Sequence, residues 1–163
     1  MVSRWCLAVL LAGAAGAVVA MITVWVSDGK PDVSMTANGL LAGLVSITAP
    51  CGAVETWAAP VIGAVGGLLV VLAVKFFDRM KVDDPVGAIS VHGICGTFGV
   101  LAVGIFANGS YGTGWGGAVD DAGEGIPVEG LIKGELGQFG AQLLGAVVLC
   151  TVIFGVAYAF FKI

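Results

Sequence analysis

The only histidine of the chain, His92, lies near the middle of an apolar run from residue 85 to residue 107. This run carries no formal charge and exceeds the ~20 residues that a helix needs to cross a bilayer, so it predicts His92 at membrane depth. A neutral imidazole ring holds one hydrogen-bond donor and one acceptor and is suited to relaying a proton. His92 is therefore the first candidate for a transport site, because ionisable side chains inside membranes usually serve a function. The alternative is a core histidine bonded to a neighbouring carbonyl.

Two aspartates and a proline, Asp83, Asp84 and Pro85, stand at the entrance to this run. An aspartate accepts hydrogen bonds from the unpaired N–H groups of a helix start, and proline is tolerated at the first helical position. The three residues therefore predict that the helix begins at Pro85. Asp84 lies two helical turns before His92, so we consider two roles for it, a helix cap and support for proton transfer.

Thr48 is a further candidate because the helix that carries it is predicted to break there. Pro50 follows closely and disfavours a helix that continues past Thr48 and Ala49. A broken backbone inside a membrane is tolerated where it is buried in protein or lines a wet cavity. The Thr48 hydroxyl therefore either faces a pore or bonds the backbone of its own helix.

The elements that position these residues must lie in a membrane. The chain has 163 residues, of which 58% are hydrophobic and 11% charged, and its mean hydropathy is +1.04. This composition predicts an integral membrane protein in which residues 1–163 form one membrane domain. The net charge is −4 without a basic patch, so we expect no nucleic-acid partner.

The sequence predicts neither an enzyme nor a bound cofactor or metal ion. No nucleophile stands beside a base, and no phosphate-binding loop or metal-ligand cluster is present. The four cysteines lack the spacing of a metal site or a redox pair, so we interpret them as packing residues. They are Cys6, Cys51, Cys95 and Cys150.

Five apolar segments predict an all-α polytopic membrane protein with five transmembrane helices. They cover about residues 5–26, 35–49, 57–77, 85–107 and 131–161. The last segment is longer than a bilayer requires, so it must tilt, bend or project from the membrane. The glycine-rich, acidic stretch between the fourth and fifth segments is typical of a loop with little regular structure.

Two segments carry glycine pairs at four-residue spacing, Gly39 with Gly43 and Gly63 with Gly67. This spacing places both glycines of a pair on one helix face and lets a neighbouring helix approach closely. We therefore expect these two faces to be helix contacts.

The distribution of basic residues predicts the orientation in a cell membrane. Five helices place the two termini on opposite sides, and cytoplasmic loops carry an excess of Lys and Arg. Five basic residues then share one side, and Arg4 and Lys133 share the other. The five are Lys30, Lys75, Arg79, Lys81 and Lys162. We expect the N-terminus outside, the C-terminus in the cytoplasm, and the lipid bilayer around the helices.

Three stretches resemble blocks of the ammonium transporter family, the Amt/Mep/Rh channels. Residues 83–93 (DDPVGAISVHG) and 101–107 (LAVGIFA) are similar to the signature around an intramembrane histidine of that family. Residues 30–49 (KPDVSMTANGLLAGLVSITA) are similar to another block. The resemblance extends from about residue 8 over nearly the whole chain, and eleven consecutive matching residues make it specific.

The resemblance implies ammonium transport through an apolar pore that contains a histidine. His92 corresponds to the pore histidine of the family's second repeat, and Asp84 matches the acidic residue before it. Members of the family typically have eleven spans, the first ten in two inverted repeats, and this chain resembles only spans seven to eleven. The resemblance thus implies a partial ammonium-transporter fold without the second pore histidine.

Two functional hypotheses follow from this partial match. In the first, the chain transports ammonium or ammonia as part of a complete pore, in a homotrimer or with an N-terminal half. In the second, it is a non-conducting remnant, or an assembly or regulatory subunit that binds full-length transporter.

Overall fold

The structure, a computed structural model, describes residues 2–162 and their side chains, apart from those of Val2, Ser3 and Trp115. The predicted all-α fold is confirmed: over these residues the chain forms helices and turns, and its strand pairings are isolated bridges. The longer helices are α1 (Val2–Asp28), α2 (Val33–Thr48), α3 (Ala58–Arg79), α4 (Cys95–Phe106) and α5 (Leu136–Phe161). A π-helical turn, Ile89–Ile94, leads directly into α4.

Four helical segments are long and apolar enough to cross a membrane, and α2 is a shorter apolar helix. The four are Arg4–Asp28, Ala58–Arg79, Ile89–Phe106 and Leu136–Phe161. The 16 residues of α2 extend over roughly 24 Å, less than the thickness of a bilayer core. This helix ends at Thr48, as Pro50 predicted, and a short 3₁₀ turn, Pro50–Gly52, follows.

The predicted start of the fourth membrane helix at Pro85 is wrong. Pro85 lies in a turn, and Gly87 takes a left-handed conformation with φ of 70°. The N–H of Gly87 donates to the carbonyl oxygen of Asp84 at 2.9 Å, which closes this turn. The helix therefore begins after Gly87, because a positive φ interrupts the right-handed helical backbone.

The fifth helix starts at Leu136 rather than near residue 131. Leu131–Lys133 form a separate 3₁₀ turn that ends at Gly134, whose φ is 88°. The left-handed backbone of Gly134 separates the turn from α5. The helix that remains has 26 residues, enough to cross the membrane with some tilt.

The core is built on the glycine faces of α1, α2 and α3, and the predicted close contacts are confirmed. The helices approach so closely that a Cβ added at these glycines would overlap backbone or Cβ atoms of α1. The partners are Gly16 with Gly39 and Gly67, and Ala12 with Gly43 and Gly63. α1 is thus held between α2 and α3 by backbone contacts that only small residues permit.

The fifth helix contacts the rest of the molecule mainly through α4. A Cβ added at Gly104 would lie 2.6 Å from the Cα of Phe139, so the two helices touch near the start of α5. Ala146 is the only buried residue of α5 among those described. The loop before α5 follows an irregular path with short 3₁₀ turns, and the N–H of Gly130 donates to the carbonyl oxygen of Ala107.

Candidate functional site

His92 lies within the π-helical turn that opens the fourth membrane span. A π-helical turn is wider than an α-helical turn, and such turns inside helices are frequent at functional sites. Ser90 and Val91 are buried against the bundle, whereas His92 and Gly93 are exposed. The turn therefore directs the imidazole ring away from the α1–α3 core.

The imidazole ring lines an open groove of about 740 Å³ between α4 and α5. The groove is apolar apart from His92, Thr97 and Cys150. The Thr97 hydroxyl donates to the carbonyl oxygen of Gly93 at 2.8 Å and lies 3.8 Å from the Cys150 sulfur. The other lining residues are Gly93, Gly96, Val100, Ala146, Leu149, Ile153, Phe154 and Ala157. A small neutral solute suits such walls better than an ion, which would lose its hydration without a charged partner.

Asp84 holds the start of the segment that carries His92. Its carboxylate accepts hydrogen bonds from the N–H groups of Ile89 (3.0 Å) and Ser90 (3.1 Å) and from the Ser90 hydroxyl (3.0 Å). Desolvation of the carboxyl opposes ionisation, but these hydrogen bonds outweigh it and lower the pKa of Asp84. The ionised carboxylate therefore caps the helix and fixes the turn two residues before His92.

Thr48 does not share a site with His92. Its hydroxyl donates to the carbonyl oxygen of Leu44 at 2.7 Å, in its own helix. Thr48 lines a second cavity of about 410 Å³ between the end of α2, the long loop and the start of α5. Val103 of α4 lines the same cavity about three helical turns beyond His92. The structure thus places Thr48 and His92 in two successive cavities.

The broken backbone after Thr48 is tied to the start of α1 by Arg4. The Arg4 guanidinium donates to the carbonyl oxygens of Val54 (2.8 Å) and Gly52 (3.4 Å). Its central carbon lies 3.6 Å from the centre of the Tyr111 ring, a cation–π contact. Arg4 therefore joins α1, the break and the long loop, a role that its sequence position at the edge of a membrane segment does not indicate.

Four residues near these sites were not predicted from the sequence as site residues: Arg4, Thr97, Gln138 and Gln142. The two glutamines line the second cavity from α5. Their four-residue spacing in a predominantly apolar helix was the available signal, because it places two amides on one face. Over residues 2–162 no group of three or more His, Cys, Asp or Glu side chains is arranged to hold a metal ion.

The fold and the groove together define a multi-pass membrane protein in which one membrane-spanning helix presents a histidine to an open apolar groove. The particular family follows from comparison with known proteins. A family model described as the Ammonium Transporter Family matches residues 2–163. The chain therefore belongs to the ammonium transporter family.

Relatives and solved structures agree on this assignment. The chain is 47% identical over 153 residues to the ammonium transporter Amt2 of Archaeoglobus fulgidus, covering 94% of this chain and 31% of that protein. A sensor Amt protein superposes with a TM-score of 0.80 at 32% identity, covering 98% of this chain and 36% of the other. Mep2 of Saccharomyces cerevisiae superposes with a TM-score of 0.76 at 30% identity, covering 89% and 31%. The chain spans about a third of the length of these relatives.

Proposed function

We propose that this chain contributes one wall of an ammonium transport path, with His92 at its centre. The observation that carries the proposal is an exposed histidine in an apolar groove of a membrane-spanning helix. Membership of the ammonium transporter family supplies the cargo, ammonium or ammonia. The proposed activity is transport and involves no chemical conversion of the cargo.

The apolar groove favours ammonia and a proton that move separately. Moving an ammonium-sized ion into a medium of low dielectric constant costs on the order of 20 kcal/mol by the idealised Born estimate. Neutral ammonia avoids most of this cost, and the two nitrogens of an imidazole ring suit it to accepting and releasing the proton. His92 would then contact the cargo while the walls exclude water.

Asp84 and Thr48 have supporting roles in this proposal. Asp84 positions the histidine, since its carboxylate fixes Ile89 and Ser90 at the start of the π-helical turn. Thr48 lines the second cavity, and its hydroxyl donates a hydrogen bond to the carbonyl oxygen of Leu44, which leaves the hydroxyl oxygen as an acceptor. The broken helix at Pro50 is consistent with a wet cavity there, because irregular backbone inside a membrane needs polar partners.

A complete path needs a second wall, which we propose is supplied by protein outside this chain. The groove at His92 is open, and α5 is exposed along nearly all its length. The relatives are about three times as long as this chain, so they contain further sequence that could form such a wall. We propose that the chain assembles with an N-terminal half or as a homotrimer.

We propose that the protein lies in the cell membrane with its N-terminus outside. The ion pair between Lys75 and Asp28 brings the C-terminal ends of α1 and α3 together on one side of the bundle. Basic residues accumulate on this side, which is typical of the cytoplasmic side of a membrane protein.

Methylammonium uptake into proteoliposomes tests the proposed function. The chain is reconstituted alone and together with the first six spans of a related transporter as a second polypeptide. We expect uptake only in the second case, and loss of uptake in His92→Ala. Thr151→Ala is the control, since Thr151 lies on α5 outside both cavities and bonds only Val147. Uptake that survives in His92→Ala would refute the role of the histidine.

A further inference from the structure

Arg4 brings a positive charge to the edge of the membrane, at the first residue of the α1 span. Its guanidinium donates to the carbonyl oxygens of Gly52 and Val54, which are neutral acceptors. Among the residues that the structure describes, the only ion pair is the one between Lys75 and Asp28. A guanidinium has more N–H donors than two carbonyl bonds use, so Arg4 keeps its charge and further donors for an anion.

A third cavity, of about 470 Å³, lies beside the Arg4 guanidinium. Ser110 and Thr113 line this Arg4 cavity from the long loop with residues that bear hydroxyl groups. Trp5 lines it from α1 and is partly exposed. Tryptophan is enriched where membrane helices meet the lipid headgroups. The cavity therefore combines a cation and hydroxyl groups at the depth where headgroups lie.

An apolar ridge of α1 leads from the Arg4 cavity into the membrane. Its residues are apolar, exposed and follow Arg4 at steps of three or four: Leu7, Leu11, Ala14 and Val18. Such steps keep to one side of a helix, so the ridge continues directly from the arginine. In a membrane, an exposed apolar ridge contacts acyl chains. A ligand with an anionic head and apolar tails therefore matches both the cavity and the ridge.

We propose that the Arg4 cavity binds the phosphate of an anionic phospholipid whose acyl chains lie along the α1 ridge. A guanidinium and a phosphate form charge-assisted and often bidentate hydrogen bonds. The hydroxyls of Ser110 and Thr113 donate to further oxygens of the headgroup. The bound lipid joins α1 to the long loop, where Arg4 already contacts the break after α2. Lipid binding at this cavity does not require transport, so it is independent of the proposed function.

Hydrogen exchange in lipid nanodiscs tests the site. The chain is placed in nanodiscs of phosphatidylcholine, which has no net charge, and anionic phosphatidylglycerol is added in increasing fractions. We expect phosphatidylglycerol to slow exchange of residues 110–113 about fivefold or more, because a bound ligand lowers the population of the open loop. Residues 120–125, which belong to the same loop but do not line the cavity, are the internal control and should not respond.

Variants at Arg4 and Thr113 assign the response to the charge of the guanidinium. Arg4→Gln removes the charge and should abolish the response. Thr113→Glu leaves Arg4 and its carbonyl bonds in place but adds a carboxylate to the cavity, which repels the phosphate, so it should abolish the response as well. Thr113→Gln is the matched neutral control, and Lys133→Gln removes a basic residue outside the cavity. Both controls should retain the response.

Glycerol phosphate added to phosphatidylcholine nanodiscs distinguishes a lipid from a free anion. It offers a phosphate without acyl chains, so we expect no slowing of exchange at residues 110–113. Equal slowing by glycerol phosphate would overturn the lipid in favour of a soluble anion. Exchange that does not respond to phosphatidylglycerol, or a response that survives in both Arg4→Gln and Thr113→Glu, would overturn the site. Neutral lipid or another protein chain would then cover the ridge.

Discussion

The helices α1 to α3 and the helix α5 use glycine in opposite ways. In the first region, a Cβ added at Gly16, Gly63 or Gly67 would overlap the backbone of a neighbouring helix. In α5, Gly140 and Gly155 have no atom within 4 Å of the added Cβ. Both regions are rich in small apolar residues, so composition alone does not distinguish a packed interface from an exposed surface.

The two regions differ in what their surfaces contact. The α1–α3 unit is held by contacts within the chain, whereas α5 presents most of its surface outward. The two candidate cavities lie along α5 and α4, at the edge of the packed unit. The closely packed unit and the less enclosed helix together border the two cavities, and substitutions in the two regions should behave differently.

The largest effect is expected from Gly63→Leu in the packed unit. The added side chain would overlap the backbone of Ala12, which cannot rotate away as a side chain can. We expect a loss of about 3 kcal/mol or more in the free energy of unfolding. Unfolding by sodium dodecyl sulfate, followed by circular dichroism, measures it. Gly155→Leu is the control and should leave the free energy of unfolding unchanged. Equal losses in both variants would show that the two regions do not differ in packing.

A smaller and more local effect is expected from Gly104→Leu, at the contact between α4 and α5. The new side chain would push against the Cα of Phe139, 2.6 Å from its Cβ. We expect a cost of about 2 kcal/mol, confined to α5 and the loop before it. Hydrogen exchange should rise in residues 136–146 and stay unchanged in α1 to α3. Gly137→Leu is the control, and faster exchange throughout the bundle would show that the two regions are not independent.

Arg4→Ala should loosen the break after α2 without separating the packed helices. It removes two hydrogen bonds to backbone carbonyls and the contact with Tyr111, worth about 1 to 2 kcal/mol together. Cys51 lies in this break, so its labelling by a maleimide should become faster. Lys133→Ala, in the loop, is the control. An unchanged labelling rate at Cys51 would mean that the break holds its shape without Arg4.

Asp84→Ala should have the smallest effect, about 1 kcal/mol, because it removes the cap of the His92 segment. The folded state lowers the pKa of Asp84, so the carboxylate stabilises the fold above its unfolded pKa of about 3.9. This contribution is lost as the pH falls through the lower, folded-state pKa.

Thermal unfolding, measured from pH 7 down to a pH below the folded-state pKa of Asp84, gives the contribution of its carboxylate. We expect the difference between the wild type and Asp84→Ala to be largest near neutral pH and to disappear in acid. Asp83→Ala, at the preceding exposed residue, is the control. A difference that persists at low pH would assign the cap to something other than the ionised carboxylate.

Hydropathy and motif spacing predicted the apolar segments and the family, and the role of His92 stays a prediction. The apolar segments are recognisable because a chain that crosses a bilayer must pair its backbone N–H and C=O groups within a helix. The side chains of that helix face lipid, so the sequence carries a long apolar run. The glycine pairs also predicted helix contacts correctly, since Gly39 and Gly43 meet α1. The start of the fourth helix was misplaced, because the left-handed turn at Gly87 outweighs the usual preference for proline at a helix start.

The sequence by itself determined which segments enter the membrane, that a histidine lies within one of them, and that the chain belongs to this family. Only the tertiary structure decided that Thr48 and His92 line separate cavities and that Gln138 and Gln142 join Thr48. It also assigned Arg4 to the break. The reason is physical: a membrane segment is recognised by its own composition, but a cavity depends on the rotation and depth at which separate helices meet.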